Sequence, residues 1–235
     1  MKRKILLIFL CIVMILSTLS LCACDDRWKE YTYDEFYCAW MKDIADDTLI
    51  KDIVIPGAHD AGTKGMIWMA ETQDSSIMTQ LKLGVRYFDL RVNKSKDNLV
   101  MFHSIIDGQN FLDVMSDITT FMETNTTELL ILDFQHFKGE SQADVSRLLT
   151  EKLDGKMVIN NTNLPNLDFV DQLSLGECRG KCLVTFGDNY NSVNSNYIFP
   201  RNNDSGTLEG CVLDSYYESD LNKLNTNEYI LTAIP

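Results

Sequence analysis

The stretch "DIVIPGAHDAGT", Asp52–Thr63, sets a histidine just past a β-branched run closed by Pro-Gly, in a chain that holds three histidines in all. Ile and Val stopped by Pro56 and Gly57 read as a short buried strand that ends abruptly in a loop. His59 and Asp60 then stand at the C-terminal end of that strand, which is where α/β folds place their chemistry.

Outward from this stretch, Ile53–Ile55 is joined by further strand candidates at Val85–Leu90, Leu99–Phe102, Leu129–Phe134, Cys182–Phe186 and Cys211–Leu213. Helical periods fall between them. "NFLDVMSDITTFMET" brings Phe111, Leu112, Met115, Ile118, Phe121 and Met122 to three-to-four spacing, and "SQADVSRLLTEKL" opens on Ser141 as a capping serine. Strands alternating with helices predict a parallel sheet, and about six β/α units in series predict a TIM-type barrel. The Asn/Ser/Gly-rich stretch Gly187–Gly206 has no period and reads as one long surface loop.

The 235 residues, 45% hydrophobic and 23% charged, suit one globular domain with a sizeable core. Residues 1–23 differ from the rest: Lys2, Arg3 and Lys4 precede the apolar run "ILLIFLCIVMIL", the order of a secretory signal, in a run short for a membrane span. "LCAC" fits a bacterial lipoprotein signal whose Cys24 becomes the lipidated first residue. Residues 24–52 read as a segment leading into a catalytic domain over 53–235. Loss of the three N-terminal positives takes the formal charge from −13 to −16, which excludes nucleic acid as a partner and gives no long-range pull toward anionic lipid. Cys38, Cys178, Cys182 and Cys211 allow one disulfide without fixing its pairing; "CRGKC" reads as a turn at Gly180 rather than a metal or redox site.

Polar residues collect at the strand ends. In "GVRYFDLR", Asp89 and Arg91 are two apart and share a face; "LVMFH" ends at His103; in "LLILDFQHF", Asp133 and Gln135 share a face and His136 falls one residue off it, as a structural residue. A single strand-end histidine is ordinarily structural and a single Arg-Asp pair a salt bridge. Two imidazoles with one guanidinium suit acid–base attack at a phosphodiester: one ring takes a proton, the other gives one, and arginine offsets phosphoryl charge.

"IPGAHDAGT", "WMAETQDSSIMTQLKLGVRYFDLRV", "FHS" and "ELLILDFQHF", in this order, resemble the catalytic X domain of phosphatidylinositol-specific phospholipase C, particularly the bacterial enzymes and the small X-domain-containing proteins. The likeness runs from about Ile53 to about Tyr217. It implies a distorted (β/α) barrel with its site at the strand C-termini, and cleavage of phosphatidylinositol to diacylglycerol and an inositol phosphate through a cyclic intermediate. It implies His59 as the general base on the inositol 2-hydroxyl, His103 as the general acid for the departing diacylglycerol oxygen, Asp60 as the partner of that acid, and Asp89 as a supporting carboxylate. Arg91 stands where calcium-dependent members have an acid, so the resemblance implies a metal-independent enzyme with no cofactor. Gln135, and Asp214 and Tyr216 in "CVLDSYY", are implied as substrate-binding residues.

Three departures stand out: Ser104 follows His103 where the family usually reads glycine, Gln135 falls where bacterial enzymes often carry lysine, and no residue up to Pro235 matches the late aspartate that orients the first histidine. With too few strands to close a barrel, the sequence reads as C-terminally incomplete. The expectation is a monomeric phospholipase, secreted or lipid-anchored on the outer face of the bacterial plasma membrane, acting on an inositol phospholipid or glycosylated inositol lipid at the membrane surface. An inactive inositol-lipid-binding module and a metal-dependent glycerophosphodiesterase are the alternatives; the two retained histidines and Arg91 weigh against them.

Overall fold

The computed structural model describes residues 35–187 and 195–201. The signal expected at 1–23, Cys24, the strand expected at Cys211–Leu213, and Asp214 and Tyr216 lie outside the described residues.

In chain order the elements are α1 (Glu35–Cys38), 3-10 turns at Trp40–Asp43 and Ile50–Asp52, β1 (Gly57–Ala58), α2 (Ile77–Lys82), β2 (Tyr87–Ser95), β3 (Asn98–His103), β4 (Ile106–Asn110), α3 (Phe111–Thr124), β5 (Leu129–Lys138), α4 (Gln142–Lys152), α5 (Asn166–Asp171), α6 (Leu175–Cys178), β6 (Lys181–Phe186) and β7 (Phe199–Pro200). The sheet runs β4-β3-β2-β5-β6-β7, with β1 also paired to β2. The pairs β1–β2, β2–β5, β5–β6 and β6–β7 are parallel, and β2–β3–β4 is an antiparallel excursion.

The alternation of side chains along the parallel strands makes two cores. Phe88, Leu90, Leu130, Leu132, Phe134, Cys182, Val184 and Phe186 face outward onto α3 and α4, whose Phe111, Met115, Ile118, Phe121, Val145 and Leu149 cover them. Tyr87, Leu129, Ile131, Leu183 and Phe199 face the other way, against Met41, Ile50, Leu173 and Leu175. Strands with both faces covered read as continuous apolar runs, which is why "LLIL" lies at the centre of the sheet. A wall of parallel strands with helices outside and a second core inside is the construction of a (β/α) barrel; over the described residues the sheet does not close.

Several expectations need correction. Pairing begins at Gly57, not at Ile53–Ile55, because the chain first engages β2 through the Pro56 carbonyl, which accepts from Arg86 and Tyr87 N–H. Leu99–Phe102 lies in an antiparallel hairpin: the polar turn at Lys96, φ 57°, reverses the chain after β2. β4 is a strand of almost wholly polar sequence, and the stretch read as one loop contains β7. Leu112 is exposed while Val114 takes its place in the core, and Ser141 does not cap α4 but donates to the Val92 carbonyl at 3.0 Å. α3 is capped by Asn110, which accepts from Leu112 N–H at 2.8 Å.

Two arginines pin the segment before β1 to the N-terminal end of the sheet. Arg86, fully buried, pairs with Glu128 at 2.8 Å and donates to the carbonyls of Tyr37 and Cys38, while Glu128 accepts from Met41 N–H. Arg179 reaches the carbonyls of Met41, Ile44 and Thr127. Cys38, Cys178 and Cys182 are free thiols, and burial pushes Cys182 up to about 12 and Cys178 up to about 11. No helix among the described residues is long and apolar enough to cross a membrane.

Candidate active site

β5 occupies one whole edge of β2, from Tyr87 to Asn93, so β1 and β3 must share the other. β1 pairs with Tyr87 and Phe88 at one end of that edge, and β3 with Val92–Ser95 at the other. The interval between them, Asp89–Arg91, is where β1 running up and β3 running down meet, and it gathers His59, Asp60, Asp89, Arg91 and His103. His103 thus reaches the site by an antiparallel return rather than at the end of a parallel strand. The loop after β1 is tied down by Ala61 N–H on the Asp89 carbonyl, at 2.9 Å, and by Gln73 Nε2 on the His59 carbonyl, at 2.8 Å. Gly62 permits the close approach to β3, since a Cβ there would meet Met101 Cε at 2.6 Å.

Asp60, only 2% exposed, is the centre of the cluster. Its Oδ2 lies 3.5 Å from His59 Nδ1 and 3.4 Å from His103 Nε2, so one carboxylate oxygen stands between the two rings. Its Oδ1 lies 2.7 Å from Arg91 Nε. Neither oxygen makes a directed hydrogen bond, so charge and not alignment holds the group. Burial is the main cause that raises Asp60 above the ordinary carboxylate range; Asp89 adds to the rise, and Arg91, His59 and His103 oppose it. Asp60 also sits at φ 48°, a left-handed backbone that its neighbours hold in place.

Hydrogen bonding fixes the tautomer of each ring. His103 Nδ1 is 3.0 Å from the Ala70 carbonyl, which can only accept, so Nδ1 carries a proton and Nε2 is the atom that gains or delivers one. Arg91 Nη2, only a donor, is 3.0 Å from His59 Nε2, so that nitrogen presents its lone pair and Nδ1–H faces Asp60. Arg91 Nη2 also contacts Asp89 Oδ2 at 3.1 Å, and Asp89 accepts from Asp60 N–H at 3.1 Å. His59, Asp60 and Asp89 are close enough to form a cation site, with ligand atoms within 4.8 Å of one another, and the Arg91 guanidinium is paired with all three.

The structure places Gln135, buried, one strand away from this cluster, donating to Asp133 Oδ2 at 3.1 Å. Asp133 was legible as sharing its face, but not as a hub. It accepts from Tyr87 OH at 2.5 Å and Thr185 Oγ1 at 2.7 Å, and pairs with Arg201 Nε at 3.1 Å. Burial raises both Asp133 and Tyr87, and Arg201 opposes the rise of each. Register puts Asp133 beside Asp89, so the polar floor spans β2, β5 and β6, with Arg201 following β7. Tyr87 and Asp133 carried a period-two signal; Arg201 carried none. His136 is shifted by a bulge between β2 and β5 into register with Arg91, off the position that simple alternation gives it.

Residues 50–186 match the family described as phosphatidylinositol-specific phospholipase C, X domain. The chain belongs to that family. The X domain resembles the 1-phosphatidylinositol phosphodiesterase of Staphylococcus aureus, 27% identical over 173 residues that cover 68% of this chain and 52% of the relative. The Listeria monocytogenes protein of the same name is 34% identical over 101 residues, covering 40% and 31%. The solved phosphatidylinositol-specific phospholipase C from Listeria monocytogenes superimposes with a TM-score of 0.54 at 25% identity, covering 71% of this chain and 57% of that one. A Staphylococcus aureus structure gives 0.53 at 19% identity, over 71% and 53%. The barrel architecture is therefore shared, and the chain spans about half the length of the relatives it matches.

Proposed function

We propose that this chain is a phosphatidylinositol-specific phospholipase C that works by His59/His103 acid–base catalysis with Arg91 in place of a metal. The observation that carries the reading is one carboxylate, Asp60, between two imidazoles, with a guanidinium against its other oxygen. A phosphodiester beside Arg91 has its charge offset by the guanidinium. Arg91 Nη2–H turns from His59 Nε2 to the bound phosphodiester, and the freed Nε2 lone pair takes the proton of the inositol 2-hydroxyl as that oxygen attacks phosphorus. His103 Nε2, protonated and stabilised by Asp60, gives its proton to the departing diacylglycerol oxygen. Roles then reverse for opening of the cyclic product: His103 activates water and His59 returns the proton. Asp89 holds Arg91 and the Asp60 amide, and Gln135, Asp214 and Tyr216 are the proposed contacts to the inositol hydroxyls.

The leaving group stays in a lipid layer, and the surroundings of the acid suit that. Trp68 and Met69, 83% and 67% exposed, lie just before the Ala70 carbonyl that holds His103, and Ile105, 87% exposed, follows two residues after it. An apolar rim of this kind suits contact with a membrane surface. A glycosylated inositol lipid fits the same chemistry. The proposal extends to a monomer exported by the 1–23 signal, secreted or anchored through Cys24, with its catalytic domain over 53–235. Release of diacylglycerol from phosphatidylinositol vesicles in the presence of chelator tests it; failure of the chain to cleave this lipid under any conditions contradicts it.

A further inference from the structure

The reaction as described makes no use of Lys138, an exposed residue at the end of β5. β2 separates β5 from β3, so Lys138 touches the β3–β4 turn only by reaching across a strand. It does so. Its ammonium bonds the carbonyl of Ser104 and lies 4.6 Å from the centre of the Phe102 ring. The register accounts for the reach: Lys138 is opposite Asn93 on β2, Asn93 is opposite Val100 on β3, and Phe102 follows Val100 on the same face.

The carbonyl it holds belongs to the residue directly after His103, and that residue is strained. Ser104 has φ 55°, a left-handed conformation natural to glycine and unfavourable for a side chain with a Cβ. Relaxation of φ at Ser104 turns the peptide that follows the acid and with it the end of β3. An ammonium fixed on the Ser104 carbonyl and seated on Phe102 opposes that relaxation. We infer that Lys138 is a positioning residue for His103: it holds the turn after the acid in its left-handed form and so keeps Nε2 aimed at Asp60 and at the leaving oxygen. The inference rests on the proposed phospholipase reading for its kinetic consequence, and on geometry alone for its effect on the His103 ring.

The full chain is compared with Lys138→Met, which keeps the stem over Phe102 and removes the ammonium, with Lys138→Arg, and with Lys138→Met placed in a Ser104→Gly background. Turnover on phosphatidylinositol vesicles in chelator is read beside the ring nitrogen and carbon-bound proton resonances of the three histidines. Lys138→Met is expected to lower kcat about tenfold with KM within about twofold, as a lost charge-assisted hydrogen bond does. It is expected to shift the His103 ring resonances while those of His59 stay in place. Lys138→Arg should behave as wild type. In the Ser104→Gly background the same substitution should cost about twofold or less, because glycine adopts the turn without help. Unchanged His103 resonances and kcat in Lys138→Met, or an equal loss in both backgrounds, would overturn the inference. If wild type does not cleave the lipid, the phospholipase reading fails, and the His103 resonances of Lys138→Met still decide the positioning role.

Discussion

Asp60 Oδ2 lies 3.4 Å from His103 Nε2, at the point where the loop after β1 meets the end of an antiparallel strand. The same oxygen is 3.5 Å from His59 Nδ1, so the two imidazoles share one buried carboxylate and its charge. The consequences for stability and for catalysis run in opposite directions.

Asp60 is raised in the folded protein, chiefly by burial. At pH values above the unfolded carboxylate pKa of about 3.8 the folded state therefore holds a proton longer than the unfolded chain does. Stability falls as pH rises from there through the folded-state pKa, and is level above it. Asp60→Asn removes that loss. Thermal unfolding of Asp60→Asn against wild type should show a gap that opens in favour of the variant as pH rises through this window, while turnover drops by at least about 10²-fold because His103 loses its counter-charge. Parallel pH–stability curves for the two proteins would contradict the assignment.

His59→Ala and His103→Ala should each lower turnover by roughly 10²–10⁴-fold without unfolding the chain, since both rings are partly exposed and act on protons. Circular dichroism checks the fold and a vesicle assay checks the rate. Near-wild-type turnover in either variant would remove that ring from the mechanism.

Arg91 tests the metal question. With arginine present, chelator should leave activity unchanged. Arg91→Asp places a third carboxylate, and a fourth potential ligand, beside His59, Asp60 and Asp89, an arrangement suited to a hard divalent cation. Calorimetry should detect calcium binding to the variant and not to wild type, and any activity of the variant should require the ion. Equal calcium binding by both proteins would show that the guanidinium does not take the cation's place.

Arg86→Met should be costly although it lies far from the chemistry. The substitution leaves Glu128 buried without its partner and frees the carbonyls of Tyr37 and Cys38, and breaking such a pair costs about 3–5 kcal/mol. Denaturant unfolding should show this loss. A loss below about 1 kcal/mol would mean that the segment before β1 does not depend on Arg86.

The candidate site residues were legible because they follow apolar runs: Pro-Gly before His59, the alternation of Asp89 and Arg91, and "LVMF" before His103. Their convergence was less so. The direction of β3 depends on the Lys96 turn, a polar feature that hydrophobic period does not weigh, and β4 forms because its backbone completes a hairpin and not because its side chains favour a strand. The Asp133 hub joins β2, β5 and β6 to Arg201, which comes from a stretch with no period, so only tertiary pairing reveals it. His136 was misplaced by the bulge beside Arg91, which breaks the alternation on which its position was read.

The most direct test follows the phosphorus. Phosphatidylinositol vesicles are incubated with the full chain in excess chelator and the products are resolved by ³¹P NMR over time. Attack by the inositol 2-hydroxyl, assisted by His59 and completed by His103, predicts that a cyclic inositol phosphodiester appears first and that a monoester follows from it. A monoester formed without the cyclic compound, or cleavage that stops when the metal is removed, would contradict the account.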